Sequence, residues 1–309
     1  MVITAVIGIA TYKRPNSLRT LLESLHQQDL SGMPEYKITI CIVDNDSEGS
    51  AKSVVESVLK GNFPFQIDYE IEPLRGITYV RNRIVKMAGE DDYLIFIDDD
   101  EVAQQFWLRN ILNTAINGDT AIVAGPVQRE FMGDPPAWVH SLKLFTQKQY
   151  PAGSFVSSTG TGNVVLRTSI LKDLNGPFDN RFALIGGSDS VLFAELRKKG
   201  HRILWCPKAI VTENVPASRL TVKWVLSRSF RIGYSSVVYR RLYTKGKLTG
   251  RIFSGLFKIL KGVLLLLPCL IAFRISYSIR MLQELSRGLG IFWGVVGLPY
   301  EEYRKTHGG

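Results

Sequence analysis

Tyr93-Leu94-Ile95-Phe96-Ile97-Asp98-Asp99-Asp100-Glu101 sets five residues fit for a strand directly against four carboxylates. A continuous apolar run of this length, bounded by charge, reads as a strand covered on both faces. Where it ends, like charges share a small volume at one sheet edge and repel unless a cation or basic side chains offset them. Hard cations such as Mg²⁺ and Mn²⁺ favour oxygen ligands of this kind, and Mg²⁺ is usually held by one or two carboxylates together with substrate phosphates. The same run is also compatible with an acidic turn capping a helix that begins at Val102-Ala103-Gln104-Gln105-Phe106-Trp107. Both readings stay open on these residues alone.

Outward from this run the pattern alternates strand and helix up to about residue 213. Strands are predicted at 2–9, 37–43, 66–71, 93–97 and 120–124, and helices at 16–28, 50–60, 77–88 and 102–116. Such alternation with short connections predicts an α/β fold, a doubly wound and mainly parallel sheet with helices on both faces. Ligands of such sheets bind beyond the carboxyl ends of the strands. Polar groups stand there after the first strand (Thr11-Tyr12-Lys13-Arg14), after the second (Asp44-Asn45-Asp46-Ser47) and at the acidic run. Residues 125–162 are punctuated by Gly125-Pro126, Gly133-Asp134-Pro135-Pro136 and Thr159-Gly160-Thr161-Gly162, and carry Trp138, Phe145, Tyr150 and Phe155. A loop this long is usually functional, as a lid or an acceptor platform. A short strand at Asn163 to Arg167 and a helix from about Ser190 to Lys199, ending at Gly200, follow it.

Charge is unevenly distributed. The net charge is +10, yet from Asn214 to Gln283 there are 13 Lys and Arg and no Asp or Glu, so the rest of the chain sits at −3. This asymmetry calls for an anionic partner surface, phospholipid or nucleic acid. Residues 219–261 interleave the basic side chains with Trp224, Phe230, Tyr234, Tyr239, Tyr243, Phe253 and Phe257, and uncharged runs follow at 262–273 and 288–300. Those runs are 12 and 13 residues long, short of the roughly 20 a spanning helix needs. Basic aromatic segments beside short apolar runs predict a monotopic, interfacial anchor. The alternative is a buried helical subdomain. Cys41, Cys206 and Cys269 lack CxxC spacing, which argues against a disulfide framework or zinc cage and suits a reducing cytosol. Val2-Ile3-Thr4-Ala5-Val6-Ile7-Gly8-Ile9 has no basic stretch before it and reads as a first strand rather than a secretory signal.

No GxxxxGK[ST] loop occurs, and no GxGxxG follows the first strand, so ATPase and dehydrogenase readings lose support. A cation at the acidic strand end suits a nucleoside diphosphate instead, stabilising it as a leaving group while the protein positions the reactants. In order along the chain stand Ile9-Ala10-Thr11-Tyr12-Lys13-Arg14-Pro15, Val43-Asp44-Asn45-Asp46-Ser47, Arg75-Gly76-Ile77 with Arg81-Asn82, Asp98-Asp99-Asp100, and Gly187-Ser188-Asp189-Ser190 with Leu192. Together these motifs resemble family 2 glycosyltransferases over about residues 2–213. The resemblance implies a GT-A fold and transfer of sugar from a nucleotide donor with inversion.

Carried over by residue, the resemblance places Thr11 and Arg14 at the nucleotide and Asp44 at the base, by accepting from a uracil N–H. It puts Asp98 at the ribose or sugar and Asp100 on a Mn²⁺ or Mg²⁺ that bridges the diphosphate. Asp46, Arg75, Arg81 and Asp99 complete the expected donor site, with Asp98 and Glu213 as further metal ligands. Asp189 is the expected general base. Inversion by single displacement needs a base across the sugar from the leaving group, and a helix N-terminus keeps a carboxylate ionised. From the residues alone, Asp189 is equally an N-cap, Asp44 an Asx-turn and Arg81 a helix-surface residue. Ser188 stands where the family often has Glu, Glu195 where Arg is frequent, and Glu213 where many relatives have His; the alternative for Glu213 is an ion pair with Arg219.

Asn214-Val215-Pro216-Ala217-Ser218-Arg219-Leu220-Thr221, with Trp224, Arg228 and Phe230-Arg231-Ile232-Gly233, resembles bacterial succinoglycan-type exopolysaccharide sugar transferases. That resemblance implies a UDP-linked donor, a polyprenyl-diphosphate-linked oligosaccharide or glycan acceptor, and work at an anionic membrane, the cytoplasmic face of the bacterial inner membrane. The expected domains are a catalytic unit over 1–213 and a basic, largely helical, membrane-associated extension over 214–309, with no nucleic acid as partner. Competing readings are a nucleic-acid-binding protein using 219–261, a non-catalytic subunit of a polysaccharide assembly complex, and a nucleotidyltransferase.

Overall fold

Ile3–Thr11 forms the first strand, β1, because its side chains satisfy two cores at once: Ala5, Ile7 and Ile9 enter one apolar cluster and Val6 the other. In the computed structural model, which describes residues 2–146, 149–174, 176–244 and 247–301, the chain continues as follows. Next come α1 (Pro15–His26), β2 (Tyr36–Asp44), α2 (Lys52–Leu59), β3 (Gln66–Ile71), α3 (Ile77–Ala88) and β4 (Tyr93–Asp98). Then β5 (Glu101–Ala103), α4 (Trp107–Asn117), β6 (Ile122–Ala124), β7 (Val127–Phe131), β8 (Phe155–Val156), β9 (Asn163–Arg167) and α5 (Ser169–Lys172). Last are α6 (Ser188–Lys198), β10 (Ile203–Trp205), β11 (Val211–Val215) and three long helices, α7 (Val222–Tyr243), α8 (Thr249–Ile271) and α9 (Ile275–Val296). Residues 147–148 of the expected long loop, 245–246 of the basic stretch and 302–309 of the expected extension lie outside the described residues.

The main sheet has eight strands in the order β3-β2-β1-β4-β9-β6-β10-β8. β3, β2, β1 and β4 are mutually parallel, as are β6 and β10, while β9 runs against β4 and β6 and β8 against β10. α1, α2 and α4 cover one face through Leu18, Leu22, Val54 and Ile111, and α3 and α6 the other through Val80, Ile84, Leu192 and Leu196. This is the mainly parallel, doubly covered sheet of the GT-A class. Burial of each large aliphatic side chain contributes about 1.5–3 kcal/mol. Gly8 lets α3 lie close against β1, since a Cβ there would fall 2.3 Å from Ile84 Cγ2.

A second sheet, β5-β11-β7, covers the end of the first. It corrects the expected helix over 102–116. Glu101–Ala103 is extended because β11 takes its backbone bonds, pairing Val211 with Ala103 and Glu213 with Glu101. α4 starts at Trp107, whose indole N–H donates to Asn163 Oδ1 at 2.9 Å. Glu101 therefore caps no helix; its carboxylate accepts from the Asp98 N–H at 2.9 Å. The later helix starts at Ser188, with Gly187 (φ 95°) ahead of it, so Asp189 stands in the first turn and is not the N-cap.

In the C-terminal region α9 packs along both α7 and α8. Glycines make this possible. A Cβ at Gly290 would sit 2.1 Å from the Phe230 carbonyl oxygen of α7, and one at Gly288 2.8 Å from the Gly255 carbonyl oxygen of α8. Phe230 and Tyr234 of the basic aromatic stretch pack on Tyr300, with ring centroids 5.1 and 5.5 Å apart. Val139, Leu142 and Phe145 of the long loop form a third apolar cluster with Val215, Leu220, Val225 and Ile279. β11 crosses the expected boundary at 213–214 and feeds this cluster. α8 is longer than the apolar run seen in sequence: its 23 residues are long and apolar enough to cross a membrane. Lys258, which interrupts the pattern, is paired with Glu284 of α9 at 2.9 Å. The outer face of α8 exposes Phe253, Leu256, Phe257, Leu260, Leu264 and Leu267.

Candidate active site

β1, β2 and β4 end side by side because their register pairs Thr11 with Asp44 and Ala10 with Asp98. The strand order turns back between β1 and β4, the place where sheets of this kind bind ligands. Beyond it opens a cavity of about 320 Å³. Of the residues expected to act, Thr11, Arg14, Arg75, Arg81, Asp98, Asp99, Asp100 and Glu213 line it. Asp44, Asp46 and Asp189 do not.

The acidic run and Glu213 are neutralised by arginines drawn from four other elements or loops. Thr11 Oγ1 donates to Asp99 Oδ2 at 2.8 Å, and Arg14 Nη1 donates to Asp99 Oδ1 and Asp100 Oδ2, both at 3.1 Å. Arg219 Nη2 reaches Asp100 Oδ2 at 2.9 Å, and its Nη1 reaches Glu213 Oε1 at 2.9 Å. Arg129, one strand over on β7, holds the other Glu213 oxygen at 2.9 Å. Arg81 stands 3.6 Å from Asp98. Both Glu213 oxygens thus face arginines, the geometry of the ion-pair alternative.

Burial pushes the Asp99 carboxyl up to about 7, with Arg14 and the Thr11 hydroxyl opposing and Asp100 and Asp98 adding. Burial also raises Glu101 well above the carboxylate range, and Asp98 is raised on the cavity floor, first by desolvation. Asp99 and Glu101 are crowded and buried, and Asp98 beside them is open to the cavity. A divalent cation relieves such crowding, and the donor set fits one: Asp98 faces the cavity, and both arginines on Asp100 take the same oxygen, Oδ2. Two carboxylates plus diphosphate oxygens suit Mg²⁺ or Mn²⁺. Among the described residues no three His, Cys, Asp or Glu form a cage for an ion without a substrate.

Asp44 is fully buried behind the cavity. Its Oδ1 accepts from the Asp46 N–H (2.9 Å), and its Oδ2 accepts from the Ala51 N–H (2.8 Å) and the Tyr69 hydroxyl (3.1 Å). This is the turn-closing geometry, the alternative that the residues alone left open for Asp44. Asp46 is buried beside Lys13, whose Nζ is 3.9 Å away. Asn45, between the two, does line the cavity. It donates to the Glu72 and Leu74 carbonyls at 2.9 and 2.8 Å and accepts from the Gly76 N–H at 2.8 Å. That clamp fixes the loop carrying Arg75, whose guanidinium lies 5.7 Å from the Tyr12 ring centroid.

Asp189 stands in the first turn of α6, outside the residues that line the cavity. Its Oδ1 accepts from the Ser190 N–H at 2.8 Å, and its charge adds to the raised proton affinity of Asp98. The Gly160–Gly162 segment runs close to both carboxylates. Cβ atoms there would lie 3.4 Å from Asp189 Oδ2 and 3.3 Å from Asp98 Oδ2. Sequence reasoning missed Tyr12, Asn45, Arg129, Phe145, Trp224 and Arg228 as cavity residues. The four-residue spacing of Trp224 and Arg228, just inside a helix that follows the last strand, was the available signal.

Comparisons with known proteins agree with this geometry. The sequence profile described as Glycosyl transferase family 2 matches residues 6–174. The chain is 32% identical over 228 residues to the succinoglycan biosynthesis protein ExoM of Rhizobium meliloti (strain 1021), covering 74% of this chain and 72% of that one. It is 24% identical over 187 residues to a glucosyl-dolichyl phosphate glucuronosyltransferase of Haloferax volcanii, covering 55% and 57%. Among solved structures, the mannosyltransferase PcManGT of Pyrobaculum calidifontis, in complex with GDP-Man and Mn²⁺, superposes with a TM-score of 0.60 at 15% identity, over 94% of this chain and 87% of that one. S. aureus TarS 1–349 in complex with UDP gives 0.51 at 14% identity, over 97% and 93%. Fold, cavity and sequence agree, and the chain belongs to glycosyl transferase family 2.

Proposed function

We propose that this glycosyltransferase moves a sugar, with inversion, from a UDP-linked donor to a lipid-linked or polysaccharide acceptor at the cytoplasmic face of a bacterial inner membrane. The observation that carries the reading is the meeting of Thr11, Arg14, Asp98, Asp99 and Asp100 around one cavity at the strand switch point, with the Gly160–Gly162 segment close to both Asp98 and Asp189. Tyr12, Asn45 and Arg75 frame the place for the nucleotide base and ribose. Asp98 and Asp100 are the residues that would hold a divalent cation, and when bound it would supply Lewis-acid stabilisation of charge on the leaving diphosphate. Arg14 and Arg219, already on Asp100, add fixed positive charge beside the same phosphates. Asp189 takes the proton from the acceptor hydroxyl as that oxygen attacks the anomeric carbon, and the nucleoside diphosphate departs from the opposite face. The exposed apolar face of α8, the net charge of +10 and the likeness to ExoM support action at a membrane.

The test is a thermal-shift series on the purified protein with UDP, GDP, TDP and ATP, each with and without Mn²⁺. A ligand at 100 times its dissociation constant adds about 2.7 kcal/mol to stability. Stabilisation by UDP that requires Mn²⁺ is expected. A response to another nucleotide reassigns the donor, and silence with all of them overturns the reading.

A further inference from the structure

α9 packs along both α7 and α8 and so is the middle helix of the C-terminal three. Two glycine contacts set how close they lie. A Cβ at Gly233 of α7 would fall 2.2 Å from the Arg287 carbonyl oxygen of α9, and one at Gly288 would fall 2.8 Å from the Gly255 carbonyl oxygen of α8. Arg287 is exposed on α9 beside these contacts, and Arg251 is half-buried on α8, one turn before Gly255. Arg240, half-buried on α7, donates from Nε to the Lys247 carbonyl at 3.3 Å, just ahead of α8.

The charges of this corner are unbalanced. Those acting on Arg251 come from Arg240 and Arg287. Glu284 of α9 holds Lys258 at 2.9 Å, and Lys261 and Arg287 act on the same carboxylate. Five cations from three helices thus share one acid. Among the described residues no carboxylate comes within 4 Å of Arg240, Arg251 or Arg287. Guanidinium groups gathered in this way repel, and an anion that bridges them offsets the repulsion. The planar fork of each suits phosphate oxygens. The same turns of α8 expose Phe253, Leu256 and Phe257. A phosphate free in water would leave that apolar surface bare, whereas a phospholipid covers it with acyl chains.

We infer that Arg240, Arg251 and Arg287 form a headgroup site that binds the phosphate of an anionic phospholipid, whose acyl chains lie on Phe253 and Phe257. The inference rests on the membrane part of the function proposed above and gives it a defined lipid site in place of diffuse attraction. None of the three arginines lines the catalytic cavity. Arg240 stands about 24 Å along α7 from Trp224 of the cavity wall, at the usual helical rise. The site is therefore separate from donor and acceptor.

The full chain is compared with two double variants, Arg251→Gln with Arg287→Gln, and Lys223→Gln with Arg274→Gln. The second removes the same charge from exposed positions of the same region outside the cluster. Flotation is measured with vesicles of phosphatidylcholine, alone or mixed with phosphatidylglycerol, at about 150 mM salt, where diffuse attraction is screened beyond about 8 Å. The unaltered chain should prefer the mixed vesicles. The arginine pair should lose that preference at least tenfold, and the control pair should keep it within threefold. Equal loss in both would mean diffuse charge and overturn the site. Replacing chloride by inorganic phosphate at constant ionic strength should leave the preference in place; its disappearance would assign the cluster to free phosphate. An RNA oligonucleotide that binds the unaltered chain more tightly than the mixed vesicles would overturn the lipid assignment. Without lipid, the arginine pair should melt no lower than the parent, since removing like charges relieves repulsion; a marked fall would make these arginines structural and overturn the site. If the unaltered chain floats with neither vesicle, the membrane reading falls and this site with it. If it floats equally with both, the site alone falls. Stabilisation by UDP with Mn²⁺ is untouched by either result and tests the transferase reading separately.

Discussion

Asp100 receives two arginines from opposite ends of the catalytic sequence, Arg14 and Arg219, on a single oxygen. Replacing it with Asn removes the charge that a bridging cation needs, so Asp100→Asn should abolish the Mn²⁺-dependent part of UDP binding in calorimetry; unchanged metal-dependent binding removes Asp100 from that role. Asp189→Asn should leave UDP affinity intact and lower turnover by about two to four orders of magnitude, the range for loss of a general base. Full turnover in that variant means another group takes the proton. Asp44 makes a different prediction. Its carboxylate satisfies two backbone N–H groups and the Tyr69 hydroxyl inside the protein, and each buried donor left without an acceptor costs about 1–3 kcal/mol. Asp44→Ala should therefore show first as a fall of several degrees in melting temperature. A variant as stable as the parent but deficient in UDP binding would return Asp44 to the role of base reader. The acidic run and its neighbours Thr11 and Arg14 were readable in sequence because they follow strands that announce themselves. The burial of Asp44 and the capture of Glu213 by Arg129 were not, because both depend on partners that only the folded chain supplies.

At the level of elements, glycine sets how closely the last helices pack. Gly290→Ala would bring a methyl group to 2.1 Å from the Phe230 carbonyl and should destabilise the fold by about 1–3 kcal/mol as overpacking. In α8, Gly250 has nothing within 4 Å, and Gly250→Ala should be neutral or stabilise by up to about 1 kcal/mol through helix propensity. Chemical denaturation of the pair reads the contrast, and equal effects would refute the close α7–α9 contact. The far end of α7 is tied down by Tyr243, whose hydroxyl donates to Asp179 Oδ2 at 2.5 Å beside Arg181. Burial raises the proton affinity of Asp179, but hydrogen bonds from Arg181 and Tyr243 outweigh it and hold the carboxyl below its usual range. A folded-state value below the unfolded one, about 3.9, means the contact stabilises above that pH and fades as pH falls through the lower folded value. Asp179→Asn should thus lower the melting temperature at neutral pH by an amount that shrinks as pH falls below the usual carboxylate range; a difference that stays constant on acidification refutes this linkage. The continuous run Tyr93–Ile97 was legible as a strand because every residue in it is apolar and bounded by charge. Glu101–Ala103 was not, since a three-residue strand has no period and is made extended by β11, more than a hundred residues away. The glycines at 288, 290 and 294 were visible but say nothing until the helices they face are known.

For the molecule as a whole, a net charge of +10 and the bare apolar face of α8 predict binding to vesicles in two components. Anionic vesicles should bind more protein than neutral ones at low salt, and high salt should remove that excess but leave a hydrophobic remainder. Phe257→Glu with Leu264→Glu should reduce the remainder about a hundredfold in flotation assays, because each large apolar side chain contributes about 1.5–3 kcal/mol when buried. Unaltered flotation would show that this face meets something other than lipid. Sequence composition located the basic, apolar C-terminal region. It understated α8, since Lys258 and Lys261 break the apolar pattern, while in the fold Glu284 neutralises Lys258. The position of α9, in contact with both α7 and α8, bears on how the protein can be handled. The greasy part is not a detachable tail. Cutting the chain after α7 would bare the Phe230–Gly233–Val237 side of the helix that carries Trp224 and Arg228. A water-soluble enzyme is better sought by repainting outward positions of α8, such as Phe253, Leu260 and Leu267, with Gly255 and Gly262 kept. That route preserves the wall of the catalytic cavity, which deletion would leave without its buttress.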